Sequence, residues 1–310
     1  MTKTNTIARL LPLLFAALPL TLHAGDHGTR LEFRSVPAYV DRLFVPVVPE
    51  TENRLIVGSE RIEAIQTPPG FTLQTADRGL IVRSTPDAAA GYARVRIGSR
   101  EATLTLIPLV PYNKLENGKI DGYHVGEYNP TPLKGLSTYE RPKGFIALTS
   151  TNGELWVSDH YRLRDFQCKL DGASKYLVVR TEALLKLEIL QHELEAQHGL
   201  QFARFTIMSG YRTPYYNAKI GNETSNSRHL YGDAMDIYVD RDGNGKMDDV
   251  NRDGKVDSND AKFLLQVAER IDNSKEWSWL KGGAGVYHAN HAHGPYMHVD
   301  ARGYVARWGV

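Results

Sequence analysis

Ser227-Arg228-His229-Leu230-Tyr231-Gly232-Asp233-Ala234-Met235-Asp236 is the stretch on which the reading of this 310-residue chain turns. A His and an Asp seven residues apart, with Gly232 between, can present two metal ligands, one from a loop and one from the strand behind it. Ile237, Tyr238 and Val239 read as the continuation of that strand. Tyr296-Met297-His298-Val299-Asp300 is another strand-like segment and offers a second His. His229, Asp236 and His298 together make a three-ligand zinc set that leaves a fourth position for water, the arrangement a hydrolytic zinc needs. Any one of them alone reads as readily as a polar side chain in a tyrosine-rich fold; the ordered set is what points to a metal. The chain has a single cysteine, Cys168, so a multi-cysteine zinc site and an internal disulfide framework are both excluded.

Working outward, Ser209-Gly210-Tyr211-Arg212 and then Asn217 precede the metal stretch. Gly282-Gly283-x-Gly285-x-Tyr287 follows it, and Arg307-Trp308 comes shortly after His298-x-Asp300. Upstream stands His160-Tyr161-x-Leu163-x-Asp165-Phe166-x-Cys168. In this order the segments resemble the zinc D-alanyl-D-alanine carboxypeptidase and murein endopeptidase family, most nearly its periplasmic murein endopeptidase branch. The resemblance spans about residues 155–310. It implies an α+β zinc peptidase domain with zinc on His229, Asp236 and His298, and Arg212 stabilising the oxyanion of the tetrahedral intermediate. A fixed cation beside a polarised carbonyl is physically suited to that task. Peptidoglycan peptide is the implied substrate, cut by a carboxypeptidase or a cross-link endopeptidase. Ser227 and Tyr211 are expected against substrate, although Ser227 serves equally well as a turn residue.

The general base is where the chain departs from the family pattern. Many relatives carry a His two residues before the last ligand, or a Glu three before it; here those positions hold Tyr296 and Pro295. His288, His291 and His293 lie close by, and His293 is the expected base. Asp300 is its rival, and could equally orient His298.

Four residues beyond Asp236 an acidic insert begins, 240–260. Asp240, Asp242, Asn244 and Asp248 fit the first nine positions of a calcium loop. Asp249, Asn251, Asp253, Asp257 and Asp260 fit a full twelve-residue loop of dockerin type, with Gly254 at its sixth position. Structural calcium is therefore expected beside zinc, in one site or two. The alternative is a solvated acidic loop.

The rest of the chain sets the context. Residues 1–24 read as a signal peptide: Lys3 and Arg9, then an apolar run from Leu10 to Leu22 that is too short and too proline-broken to span a bilayer. The protein is thus expected to be secreted, most simply to a periplasm, with no transmembrane segment left. Residues 25–110 carry seven short alternating segments between turn signals, from Leu31–Val36 to Ala102–Val110. They predict a small all-β domain, an immunoglobulin-like sandwich. Residues 111–154 are a linker or lead-in region, and 155–310 the peptidase domain. Helices are expected at Thr181–Gln197, with Thr181 as N-cap, and at Ala261–Ile271; Phe202–Met208 reads as a buried strand. The formal net charge is +1, so no basic excess exists to hold a nucleic acid. The reading left open beside the enzyme is a non-catalytic wall- or protein-binding module that docks through the dockerin-like loop.

Overall fold

The computed structural model describes residues 28–222 and 224–309. The expected signal peptide, 1–24, lies outside the described residues. The first third is built of β1 (Arg30–Phe33), β2 (Arg42–Val47), β3 (Asn53–Val57), β4 (Ile62–Gln66), β5 (Phe71–Thr75), β6 (Leu80–Ser84), β7 (Gly91–Ile97) and β8 (Arg100–Pro108). They form two four-stranded sheets, β1-β3-β6-β5 and β2-β8-β7-β4. The period-2 pattern explains which face turns inward: in β7, Ala93, Val95 and Ile97 are buried while Tyr92, Arg94 and Arg96 are exposed. The strand that goes unannounced in the sequence, β4, buries only Ile62 and so has no alternation to read. Buried Asn53 ties the two sheets together. Its side chain accepts from the Thr29 and Val48 amides and donates to the Val48 and Val82 carbonyls.

The segment expected as a linker is packed along the C-terminal elements. It carries β9 (Val110–Pro111), the ribbon β10 (Lys119–Ile120) with β11 (Tyr123–His124), and β12 (Gly144–Leu148). β12 pairs with β9 on one side and with β13 (Lys175–Leu177) on the other. Then come α1 (Thr181–His198), β14 (Thr206–Ser209), α2 (Pro214–Lys219), β15 (Ala234–Tyr238), α3 (Ser258–Asn273), β16 (Gly283–Tyr287), β17 (Tyr296–Asp300) and β18 (Ala306–Trp308). The five strands make one sheet of order β14-β15-β17-β16-β18, antiparallel except for β16 with β18. α3 packs on β16 and β17, and α1 packs on α3. This C-terminal part is α+β.

α1 buries Leu184, Leu187, Leu190 and Leu194 as its spacing predicts, and Gly199 ends it with φ 60°. Thr181 is its first helical residue and not its cap: the hydroxyl donates to the Phe44 carbonyl of β2 at 2.7 Å, joining helix to sheet. α3 begins at Ser258, earlier than expected, because Asp257 caps it and Asp260 completes a capping box. β14 is shorter than the expected strand and only half-buried. Among the described residues no helix is long and apolar enough to cross a membrane.

Candidate metal centre

Three neighbouring strands and one turn build the centre. Asp236 of β15 lies directly opposite His298 of β17, and Ser209 of β14 lies opposite Asp236 on the other side. His229 sits on the 3₁₀ turn Arg228–Tyr231, which Gly232 terminates with φ 71°. A Cβ on Gly232 would stand 2.4 Å from the Val178 carbonyl oxygen, so only glycine lets the turn approach that backbone.

The hydrogen bonds decide which nitrogens face inward. His229 Nδ1 lies 2.7 Å from the Gly210 carbonyl, which can only accept, so the proton sits there and the lone pair is on Nε2. That Nε2 is 3.3 Å from Asp236 Oδ1. His298 Nε2 lies 3.1 Å from Asp300 Oδ2, and its Nδ1 lies 3.0 Å from the same Asp236 oxygen. Both imidazoles thus aim a nitrogen at one carboxylate, with one ligand atom from each residue within 4.8 Å of the others. All three side chains are buried. Two nitrogen donors and one oxygen donor, converging with their outer nitrogens already bonded, suit zinc.

Electrostatics agree. Burial keeps His229 neutral, against the pull of Asp236. Burial would raise the Asp236 carboxyl, but His229 and His298 outweigh it and hold it well below the usual carboxylate range. Burial would lower His298 too; Asp236 and Asp300 outweigh it and raise its pKa.

Asp300 is fully occupied. It accepts from His298 Nε2, from the Gly283 and Arg302 amides and from the Arg302 guanidinium, and it is buried. His298 and Arg302 hold its carboxyl well below the ordinary range although burial opposes them. With those donors around it, Asp300 orients His298 and has no free oxygen for a proton from water.

Arg212 lies beside the triad: its Nε donates to Ser209 Oγ at 2.9 Å and its terminal nitrogen to Asp236 Oδ2. Ser227 stands half-buried just before the His229 turn, with no cap bond from its hydroxyl. Tyr211, expected against substrate, lies instead beneath the site. It is 2% exposed, with its hydroxyl 2.8 Å from that of Tyr128. The motif hides a core residue because its ring faces the strap from β11 to β12. His293 makes no hydrogen bond to the triad; its Nδ1 meets the Gly294 carbonyl at 2.8 Å and its Nε2 the Asn290 amide at 2.9 Å. His288 and His291 are exposed. Tyr296 stacks on Tyr287 at 4.6 Å, and Trp308 lies 5.1 Å from His298, giving the centre an aromatic wall.

The acidic insert behaves unevenly. Asp240, Asp242 and Asp248 bring carboxylate oxygens within 4.8 Å of one another. In the following loop Asp249 accepts from the Asp253 and Gly254 amides, Asn251 from the Asp253 amide, and Asp257 from the Asn259 amide. Asp260 is buried and turned to the amides of Val250, Asn251 and Asp257. The first loop brings three carboxylates together; at the matching position the second loop carries Asn251 in place of Asp242.

Residues 159–261 match the family model of peptidase M15. That stretch is M15-like. The match includes Arg212, His229 and Asp236 and ends before His298, which the sheet register brings in from outside it. No curated protein and no solved structure matches the chain. Two hollows lie elsewhere: one of about 620 Å³ between β1, Thr138 and Arg180, another of about 740 Å³ beside Trp279 and Gly58. Neither is lined by a residue of the triad.

The motifs carry the three side chains that the fold gathers, but not what holds them. Gly210, Tyr128 and Thr138 act through backbone or single hydroxyl contacts, and no spacing announces such contacts.

Proposed function

We propose that the chain is an exported zinc metallopeptidase that hydrolyses peptide bonds in peptidoglycan. The observation that carries it is the convergence of His229 Nε2, Asp236 and His298 Nδ1 with Arg212 beside them. His229, Asp236 and His298 would hold the zinc, which would supply Lewis-acid polarisation of the scissile carbonyl and a more acidic water. The protein's own groups do the rest. Arg212 offers a guanidinium, fixed by Ser209, to the oxyanion as negative charge develops. Asp300 holds His298 in the tautomer with its lone pair on Nδ1. His293 moves the proton. Its Nδ1 anchored on the Gly294 carbonyl leaves the lone pair on Nε2, the form a base needs once Asn290 lets go. Ser227, at the rim of the His229 turn, is placed to meet the peptide.

The basic start and the apolar run at Leu10–Leu22 support export to a periplasm. The two four-stranded sheets, β1-β3-β6-β5 and β2-β8-β7-β4, support an immunoglobulin-like domain, although β1 pairs with β3 and β2 with β8 in parallel. Asp240, Asp242 and Asp248 support a calcium ion that steadies the link from β15 to α3.

The test is digestion of intact peptidoglycan by zinc-loaded protein, with His229→Ala beside it and fragments identified by mass spectrometry. Loss of terminal D-Ala identifies a carboxypeptidase, and dimers split to monomers an endopeptidase. No release by the wild type refutes the proposal and favours the binding module.

A further inference from the structure

A strap that lies outside the matched family region, residues 128–139, touches the supports of both histidine ligands. At one end the Tyr128 hydroxyl donates to the Leu230 carbonyl at 2.9 Å, one residue from His229, and accepts from Tyr211, one residue from Arg212. At the other end Thr138 faces two ways. Its carbonyl accepts from Arg228 at 2.7 Å, on the opposite side of His229 from Leu230. Its hydroxyl donates at 2.9 Å to the Arg302 carbonyl. The Arg302 side chain grips Asp300, and Asp300 grips His298. Tyr139 completes the clamp. Its ring lies 4.1 Å from the Arg228 guanidinium carbon, with Tyr231 on the same cation at 4.7 Å, and its hydroxyl meets Tyr304 at 2.9 Å. Arg228 itself is 2% exposed and paired with buried Asp233. Asp233 in turn accepts through its carbonyl from the Ala301 amide, next to Asp300.

We infer that this strap is a positioning element for the metal centre: Tyr128 and Thr138 set the spacing between the His229 turn and the end of β17, and so the zinc affinity. The two ligands come from chain segments 69 residues apart, and β15 alone connects them within the sheet. A turn such as Arg228–Tyr231 is not held by a strand ladder, so its place relative to β17 depends on contacts like these. The Tyr128 hydroxyl holds the turn through the Leu230 carbonyl and the Thr138 hydroxyl holds the chain after β17 through the Arg302 carbonyl, so losing either alters the spacing without removing a ligand.

The inference rests on the zinc reading, and the experiment separates the two. Full-length wild type, Tyr128→Phe, Thr138→Val and Thr138→Ser are loaded with zinc and titrated with a competing chelator. Cobalt replaces zinc for visible spectra, and the metal-free proteins are melted. The expected result is a zinc dissociation constant raised about 3–10-fold in Tyr128→Phe and Thr138→Val. That is below the ~10–100-fold typical of groups bonded directly to a ligand. A shifted cobalt spectrum should accompany it, and Thr138→Ser should keep wild-type values. Lower metal-free melting temperatures with unchanged zinc affinity and cobalt spectrum would make the strap merely structural and overturn the inference, as would no change at all. Should Thr138→Val fail to fold, Tyr128→Phe decides alone. A wild type that binds no zinc overturns the metal reading itself, and this inference with it.

Discussion

Replacing Asp300 with Asn keeps the shape of the side chain and reverses one hydrogen-bonding atom. Oδ1 accepts from two backbone amides, Gly283 at 2.7 Å and Arg302 at 3.0 Å, which cannot turn away. In Asp300→Asn the new side-chain oxygen therefore takes that position. The new NH2 then stands where Oδ2 now meets His298 Nε2 at 3.1 Å. Two donors cannot share that contact. His298 must move its proton to Nδ1, the nitrogen that faces Asp236 and would bind the metal. Groups that orient a metal-bound imidazole are worth ~10–100-fold in affinity, or about 1.4–2.8 kcal/mol. The variant also weakens the Arg302 pair, at about 1.5–3 kcal/mol for a hydrogen bond to a charged group. Asp300→Asn should thus bind zinc at least ~10-fold more weakly in chelator competition and melt lower without metal. Excess zinc should recover part of its activity. Zinc affinity within about twofold of wild type would refute the tautomer argument. If turnover were lost at the same time, Asp300 would be the base and not the orienter.

Arg212→Lys keeps the charge but not the two-point hold on Ser209 and Asp236. It should lower kcat/KM about 10²–10³-fold while zinc binding changes far less; equal activity would remove Arg212 from the transition state. Asp159 is half-buried, and burial pushes its carboxyl up to about 6, with the charges of Glu188 and Asp41 adding to it and the Asp41 amide and Arg42 opposing. A folded pKa above the unfolded value means stability present at low pH and lost as pH rises through about 6. Asp159→Asn can still accept from the Asp41 amide; it should match wild type near pH ~4 and be more stable above pH ~6, by about 1 kcal/mol after solvent screening. A flat difference across that range, measured by denaturant titration, would exclude Asp159 as the cause. Calcium added to chelated, zinc-repleted protein should raise the melting temperature and the activity together, and unchanged values of both would discard the calcium site.

How much was legible depends on how local each signal is. The helices were readable because Leu184, Leu187, Leu190 and Leu194 share a face, as do Leu264, Val267 and Ile271. The caps shifted because capping is a contest among neighbours: Asp257 with Asp260 wins the start of α3, whereas Thr181 is diverted to Phe44 of β2. β4 was invisible because it buries one side chain. Tyr211 looked like a site residue because it stands between Gly210 and Arg212, yet its ring packs into the core beneath them.

The residue types of the candidate site were a property of the sequence by itself. His229, Asp236 and Arg212 sit in short ordered motifs, and a motif of that length carries its residue types and their spacing without help from the rest of the chain. Only the tertiary structure decided that His298 lies across from Asp236, that Asp300 is closed off by donors on both oxygens and serves as a support, and that residues 128–139 bridge the two histidine segments. Strand register and single hydroxyl bonds between distant segments depend on how whole elements pack. That packing energy is summed over many side chains, and no local spacing records it.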